Sequence, residues 1–153
     1  MTLTVTWTNG LVGNQAALEL IQSQVKKAGI DLQLKQLDQP SFIDAFNSSN
    51  FDFTWSGRLG GDGDIMRTYF STGLSNIFKL PATGLDGLLT QQAAEAAPTT
   101  RTELIKQIQA DIVDNLYVIP VVEATTVVGV SADVHDVVLD SGSRLRLQDA
   151  WKS

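Results

Sequence analysis

The first 37 residues carry the pattern that most limits how this chain can fold. Residues 3–8 alternate apolar side chains with threonines, which predicts a strand. Residues 15–28 then place apolar side chains at helical spacing, and Gly29 supplies a stop. Residues 30–37 alternate again. A strand, a helix and a second strand in this order predict a βαβ unit, in which two parallel strands are joined by a right-handed crossover.

The rest of the chain is predicted to form further helices and strands. Two helices are predicted to begin at capping boxes, Ser41 with Asp44 and Thr100 with Glu103. Pro98 is predicted to end a helix over residues 84–97. The other segments are predicted from spacing alone: a strand over 51–55, a helix near 64–71, strands at 117–122 and 126–130, and strands in the tail from Ala132. Together they predict an α/β fold, a mostly parallel sheet flanked by helices, as a single domain over residues 1–153.

The composition narrows the possible functions. The net charge is −6, from 11 Lys and Arg against 17 Asp and Glu, which argues against general binding to nucleic acid or anionic lipid. There is no cysteine and only one histidine, His135, so Cys-based zinc sites and multi-His metal sites are excluded. We therefore expect no metal and no cofactor. No apolar run approaches the roughly 20 residues of a membrane span. Since the N-terminus does not resemble a signal peptide, the protein is expected to be either cytoplasmic or a mature or excised piece.

Motifs for catalysis are incomplete. The glycine-rich run 60–64 stands where a phosphate loop would be, but it lacks Gly-Lys-Ser/Thr, and Asp62 and Asp64 would repel phosphate. A turn with Asp64 at the start of a helix is the favoured interpretation. The run also lacks the full spacing of a calcium loop, and Ser56 lies outside any Gly-x-Ser-x-Gly elbow. The sequence therefore predicts a protein that is not an enzyme.

The ends of the first and third predicted strands carry the candidate binding residues. In open α/β sheets, ligands bind beyond the carboxyl ends of the strands. The residues there are Asn9, Trp55, Ser56, Gly57 and Arg58. The Arg58 guanidinium could bind a carboxylate, with Trp55 or Trp7 as an apolar wall and nearby glycines allowing close approach to the backbone. An equally open alternative is that Arg58 forms a surface ion pair with Asp62 or Asp64.

Several segments, in order along the chain, carry a family resemblance. They are Leu18–Leu32, Phe51–Phe53, Trp55–Arg58 with Asp62-Gly63 and Ile65, Gly84–Leu89, Arg101–Asp114, Val118–Val121 and Arg144–Trp151. With these segments the chain resembles the C-terminal portion of the family 5 extracellular solute-binding proteins. These are the dipeptide-, oligopeptide- and nickel-binding components of ABC importers.

The resemblance implies one lobe of a type II periplasmic binding protein, whose two lobes close around a ligand. It implies that a small solute, peptide-like or otherwise bearing a carboxylate, is captured for import. The implied partners are a missing N-terminal lobe and ABC permease subunits. The implied location is the periplasm or the outer face of the cell envelope, with any membrane attachment through a lipid anchor. The alternative is a non-transport receptor or a chaperone-like module on the same scaffold.

One departure from the family affects the expected ligand. Members often carry Asp-Pro-Asp-Gly after the Trp-Ser-Gly-Arg segment, and in peptide binders an aspartate near this point clamps the ligand amino group. Here the run reads Gly60-Gly61-Asp62-Gly63, and neither Leu59 nor Gly60 can supply that carboxylate. Arg58 is retained, which suits a ligand with a carboxylate or another anion. The departure weakens the expectation of a peptide ligand.

Overall fold

A computed structural model describes residues 1–8, 14–57, 60–74, 76–123 and 125–153. The chain divides into two compact units, one formed by Met1–Gly57 with Ile77–Leu80 and the other by Arg58–Asn76 with Pro81–Ser153. In the described residues, the first unit contains a three-stranded parallel sheet and two helices. The second contains three helices and two short antiparallel strand pairs.

The first unit forms the predicted βαβ arrangement and extends it by a third strand. Its elements are β1 (Thr2–Thr8), α1 (Asn14–Lys26), β2 (Asp31–Leu37), α2 (Gln39–Asn47) and β3 (Phe53–Thr54). The sheet order is β2-β1-β3, and both pairs of neighbours are parallel. The β1–β2 pairing runs over all seven residues of each strand, from Thr2 opposite Asp31 to Thr8 opposite Leu37. The two βαβ strands are therefore confirmed, with bounds within one residue of the predicted ones.

The core of the first unit lies under the central strand. Val5, Trp7, Leu18 and Leu32 are buried together, and Leu18 on α1 is only 1% exposed. Burying a leucine side chain stabilises a fold by roughly 1.5–3 kcal/mol. Because β1 is covered on both faces, Thr6 is buried too, and its hydroxyl donates to the Phe53 carbonyl oxygen at 3.3 Å.

Two predictions in the first unit need correction. The second helix begins at Gln39 and is capped by Asp38, whose Oδ1 accepts from the Ser41 N–H at 2.8 Å, so the predicted Ser41 capping box is wrong. An aspartate that precedes a proline in the first turn is a strong helix start, and it begins the helix three residues earlier. The third strand is limited to Phe53–Thr54, shorter than the predicted 51–55.

The second unit is mainly helical. Its helices are α3 (Ile65–Phe70), α4 (Gly84–Ala94) and α5 (Pro98–Asp114), and its short strands pair as β4 (Val134–His135) with β7 (Trp151–Lys152) and β5 (Val138–Leu139) with β6 (Leu145–Arg146). Leu85 and Leu89 of α4 are buried, as are Ile108 and Ile112 of α5, and the two helices pack together. The strands predicted in the tail are thus present, although each has only two residues.

The junction between α4 and α5 differs from its prediction. The helix α4 ends at Ala94, four residues before Pro98, and Pro98 begins α5 instead of ending α4. Proline suits the first turn of a helix because its missing N–H would have no intrahelical partner there. The predicted cap at Thr100 is therefore wrong: the N-cap position is Ala97, which has no side chain able to form a capping bond.

The residues from Val118 to Val130 form no strand within the part of the chain that is described, so the strands predicted at 117–122 and 126–130 are wrong. Between these bounds, the described residues make no hydrogen bond with other described residues. β-branched side chains favour a strand only where a neighbouring strand completes the ladder.

The predicted fold class is confirmed, because the architecture combines helices with a parallel sheet that they flank. In the ranges that the structure describes, no helix combines the length and apolar character needed to cross a bilayer.

Candidate functional site

The three parallel strands of the first unit end at one edge of the sheet. The sheet order is β2-β1-β3. The chain passes from the central strand β1 to β2 on one side, and from β2 to β3 on the other side of β1. The chain thus changes direction across β1, and in open α/β sheets the ligand crevice lies at such a switch point. The predicted site residues follow β1 and β3.

Trp55 marks the end of β3. Its N–H donates to the Thr6 carbonyl oxygen at 2.9 Å, so parallel pairing with β1 continues one residue beyond the strand. The indole is half-buried and packs against the core of the first unit. Ser56 and Gly57 follow and are exposed. Within the first unit, this edge thus combines a partly accessible aromatic ring with an exposed hydroxyl-bearing residue and an exposed glycine.

The other predicted site residues have different outcomes. Asn9 and Arg58 lie outside the described residues. Trp7, the alternative aromatic wall, is a core residue with only 4% of its surface exposed. Its indole N–H is buried and has no hydrogen-bond partner among the described residues. Of the two tryptophans, Trp55 is therefore the one that a ligand at this edge could contact.

A polar cleft of about 490 Å³ lies at the carboxyl ends of β1 and β2. It is lined by Thr8, Gln36, Leu37, Asp38 and Gln39. The Thr8 hydroxyl lies 3.4 Å from the Gln39 side-chain oxygen. Hydrogen bonds from Ser41 lower the pKa of the Asp38 carboxyl, so this group stays ionised at a lower pH than an ordinary aspartate does. The sequence analysis did not identify this cleft, although Asp38 immediately follows a strand end.

The glycine-rich run belongs to the second unit, where Asp62 forms its main contact with α5. Arg101 of α5 binds both carboxylate oxygens of Asp62, with Nη1 2.9 Å from Oδ2. Asp62 Oδ1 also accepts from the Asp64 N–H at 2.7 Å. The hydrogen bond from Arg101 is the main cause that lowers the pKa of Asp62 to about 2, with the Asp64 N–H contributing next. An ion pair between Asp62 and Arg101 therefore joins the glycine-rich run to α5.

Asp64 has a separate set of partners. Both of its oxygens accept from Arg67, at 2.8 Å each, and its Oδ1 also accepts from Gln92 Nε2 at 2.6 Å. The Arg67 hydrogen bond is the largest cause lowering the pKa of Asp64. The two carboxylates that Arg58 was considered to pair with are thus each bound by another arginine.

The glycines of this run lie close to neighbouring side chains. A Cβ at Gly60 would lie 2.8 Å from Ile65, one at Gly61 2.5 Å from Ser141, and one at Gly63 2.6 Å from Ile105. Such distances are shorter than real side chains tolerate, so these residues allow close approach by neighbouring side chains. The contact with Ile65 is thus one reason for a glycine at position 60, besides the predicted close approach of a ligand.

Gln92 and Arg101 are residues whose importance the sequence analysis missed. Gln92 lies on the apolar face of α4 between Leu89 and Ala93, and it is fully buried. A buried amide on such a face must find hydrogen-bond partners, and that requirement was the available signal. Arg101 supplies one partner, since its Nη2 donates to Gln92 Oε1 at 3.3 Å.

The described ranges show how the acidic side chains and His135 are placed. There, no group of three or more His, Cys, Asp or Glu side chains could hold a metal ion. The His135 ring stacks on Trp151, with ring centres 4.2 Å apart, and its Nε2 lies 3.3 Å from the Ser153 hydroxyl oxygen. His135 therefore acts in packing of the C-terminal strand pair.

Comparisons of sequence found no match to a protein-family model and none to a curated protein. Solved structures do match. AppA from Clostridium difficile, which is assigned as a peptide-binding protein, is 26% identical with a TM-score of 0.66, and the match covers 72% of this chain and 24% of that one.

Two further matches have slightly higher TM-scores and lower identity. The ABC transporter substrate-binding protein CtaP from Listeria monocytogenes has a TM-score of 0.67 at 23% identity, over 75% of this chain and 25% of that one. A periplasmic oligopeptide-binding protein from Borrelia burgdorferi, OppAIV, has a TM-score of 0.67 at 24% identity, over 76% of this chain and 24% of that one.

These neighbours confirm the predicted resemblance to family 5 solute-binding proteins at the level of structure. Their descriptions are those of binding proteins for ABC transporters or peptides. The chain spans about a quarter of the length of each of them.

Proposed function

We propose that this chain is the C-terminal ligand-binding lobe of a longer ABC-importer solute-binding protein. Its ligand is a small solute with a carboxylate, peptide-like or of another kind. The lobe binds and releases the solute without catalysis, and closure on an N-terminal lobe completes the site. In this proposal the whole protein works in the periplasm or on the outer face of the cell envelope and delivers its ligand to permease subunits.

The observation that supports this proposal most is the composition of the carboxyl end of β3, beside the central strand β1. A half-buried Trp55, an exposed Ser56 and an exposed Gly57 follow the strand that neighbours β1 on the side where the connections diverge. This is the place where open α/β sheets take ligands, and an aromatic ring beside small polar groups is typical of such sites. The structural similarity to substrate-binding proteins supports the same function.

Arg58 is proposed as the group that binds the ligand carboxylate. It follows Gly57 directly in the chain, and a guanidinium can bind both oxygens of a carboxylate at once. The alternative surface pairing is less favoured, because Asp62 is bound by Arg101 and Asp64 by Arg67. Asn9, which follows β1, is proposed as a second polar contact on the same crevice.

A single lobe should bind weakly, since it covers only one side of a ligand. A dissociation constant in the millimolar range corresponds to about −4 kcal/mol of binding free energy, and NMR titration suits that range. The test is a titration of the ¹⁵N-labelled 153-residue chain with tri-alanine and, separately, with tri-alanine amide, which lacks the terminal carboxylate. We expect saturable shifts of the Trp55, Ser56 and Gly57 signals, with affinity at least about fivefold lower for the amide.

The variant Arg58→Gln tests the proposed contact directly. It should reduce the affinity for tri-alanine to that of the amide, because the charged pair is lost in both cases. Arg146→Gln removes an exposed arginine from β6 and is the matched control, expected to bind as the wild type does. Unchanged affinity in Arg58→Gln would refute the carboxylate contact, and wild-type chain without saturable shifts would refute the peptide-like ligand.

A further inference from the structure

One face of α5 contacts the loop formed by residues 60–64. Arg101, Ile105 and Gln109 are spaced four residues apart, so they lie along one side of the helix. Arg101 binds Asp62, Ile105 packs where a Cβ on Gly63 would have to be, and Gln109 lines a cleft of about 280 Å³ beside the loop. The helix thus contacts the loop through an ion pair and through close packing.

Arg101 uses its guanidinium to join two neighbouring elements. Two nitrogens bind the Asp62 carboxylate, Nε donates to the Gln92 carbonyl oxygen at 3.2 Å, and Nη2 lies 3.3 Å from Gln92 Oε1. Gln92 in turn donates to Asp64 at 2.6 Å. Both carboxylates of the loop are therefore connected to Arg101, one directly and one through a fully buried amide.

The loop held in this way continues directly from the proposed ligand residues. Only Leu59 separates Arg58 from Gly60 in the sequence, and consecutive Cα atoms are about 3.8 Å apart, so the loop begins within two residues of the proposed carboxylate-binding residue. A displacement of about 1 Å in a binding group is enough to weaken a bidentate contact considerably. The position of Asp62 is thus expected to affect the ligand contact four residues earlier in the chain.

We propose that Arg101 is a positioning residue for the ligand site, acting by fixing the loop 60–64 through Asp62 and Gln92. This inference rests on the proposed function, since it concerns the affinity of the same site. It assigns a role to a residue that does not contact the ligand. Lysine could not replace it, because an ammonium group is a point donor that cannot bind both Asp62 oxygens in one plane and also reach Gln92.

The first part of the test needs no ligand. Amide hydrogen exchange reports local opening, and the Asp64 and Ile65 N–H groups are bonded to the Asp62 side-chain and carbonyl oxygens, respectively. Arg101→Gln and, independently, Asp62→Asn should each speed exchange at these two amides by about tenfold. Lys106→Gln is the matched control, because it removes an equal charge and an exposed ion pair with Glu103 from the same helix. It should leave both exchange rates within about twofold of wild type.

The second part measures binding of tri-alanine by NMR titration in the same variants. Arg101→Gln should weaken binding by about three- to tenfold, Arg101→Lys should not restore it, and the double variant with Asp62→Asn should be no weaker than either single variant. A purely structural role would instead lower the unfolding midpoint with unchanged affinity in the folded protein.

Each contrary result has a different meaning. Unchanged exchange at Asp64 and Ile65 in both single variants would overturn the inference whatever the ligand does. Faster exchange with unchanged affinity for tri-alanine would overturn the positioning role alone and leave the proposed function standing. A wild-type chain that does not bind tri-alanine would overturn the proposed peptide-like ligand and this inference with it.

Discussion

Two regions of this chain have strand-like sequences, and only one of them forms a sheet. Thr2–Thr8 and Asp31–Leu37 pair over their full length. Val118–Val130 is at least as rich in β-branched residues, yet in the described part it has no ladder, and its Val122 and Val127 side chains are largely exposed. Strand propensity measures how well side chains fit a pleated, half-buried surface, and it produces a strand only where a neighbour supplies that surface.

The two units also differ in what fills their interiors. The core cluster around β1 in the first unit is apolar, with Leu18 inserted from α1. The second unit combines apolar contacts between α4 and α5 with a fully buried glutamine that joins two ion pairs. Apolar packing is set by periodicity, whereas a buried amide depends on groups that are distant in sequence.

The largest effect is expected in the apolar core. Leu18→Ala should lower the free energy of unfolding by about 2–5 kcal/mol, because the side chain is 1% exposed and its removal leaves a cavity. Leu20→Ala on the same helix is the control, since Leu20 is 59% exposed and should cost less than about 0.5 kcal/mol. Urea unfolding followed by circular dichroism measures both. Equal losses in the two variants would mean that α1 does not pack as described.

The buried amide of the second unit should give the next largest effect. Gln92→Ala leaves Asp64 with one partner fewer and removes the side-chain contact with Arg101, and such losses cost about 1–3 kcal/mol. Gln91→Ala is a matched control, because Gln91 is the exposed neighbour in α4. The same urea measurement applies. A cost at Gln92 no greater than at Gln91 would show that the second unit does not depend on this network.

The sheet of the first unit could be predicted from sequence because alternation and helical spacing report which face is buried. Where caps compete, the prediction failed: Asp38 starts α2 ahead of Ser41, and Pro98 starts α5 ahead of Thr100. Both errors placed the N-cap of a helix three residues late, since the sequence alone does not decide which of two nearby signals is used.

The candidate site was predictable only in part. Parallel strands with divergent connections indicated the edge where Trp55, Ser56 and Gly57 lie, and that required only strand order. The contact between Arg101 and Asp62 spans 39 positions in the chain, and nothing in the spacing of either residue specifies it. Thr6 shows the same limit, because alternation places it on the polar face of β1, and the pattern did not reveal that the central strand is covered on both faces.

A smaller effect, present near neutral pH and lost in acid, is expected at Asp62. Its pKa is lowered to about 2 in the folded chain, below the ordinary value of 3.8. The ionised carboxylate therefore stabilises the fold above about pH 4, and this contribution is lost as the pH falls towards 2. Asp62→Asn should have a lower melting temperature than wild type at pH 6, and the difference should shrink between pH 4 and pH 2.

The control for this titration is Asp114→Asn, at the exposed end of α5. Its melting temperature should follow the wild-type curve from pH 6 to pH 2, because the Asp114 side chain makes no hydrogen bond or ion pair with the described residues. If the gap between Asp62→Asn and wild type stayed constant over this range, ionisation of Asp62 would not be the source of the stabilisation. Differential scanning calorimetry at low ionic strength gives the required curves.

The smallest effect is expected in the strand-like region that lacks a ladder. Val127 is 87% exposed, so Val127→Lys should change the free energy of unfolding of the 153-residue chain by less than about 0.5 kcal/mol. Val5→Lys, in the central strand of the sheet, is the contrasting substitution and should prevent folding because it buries an unpaired charge. A loss above about 1 kcal/mol in Val127→Lys would mean that this region is covered in solution. The two strand-like regions would then differ in the identity of their partner, and not in whether they have one.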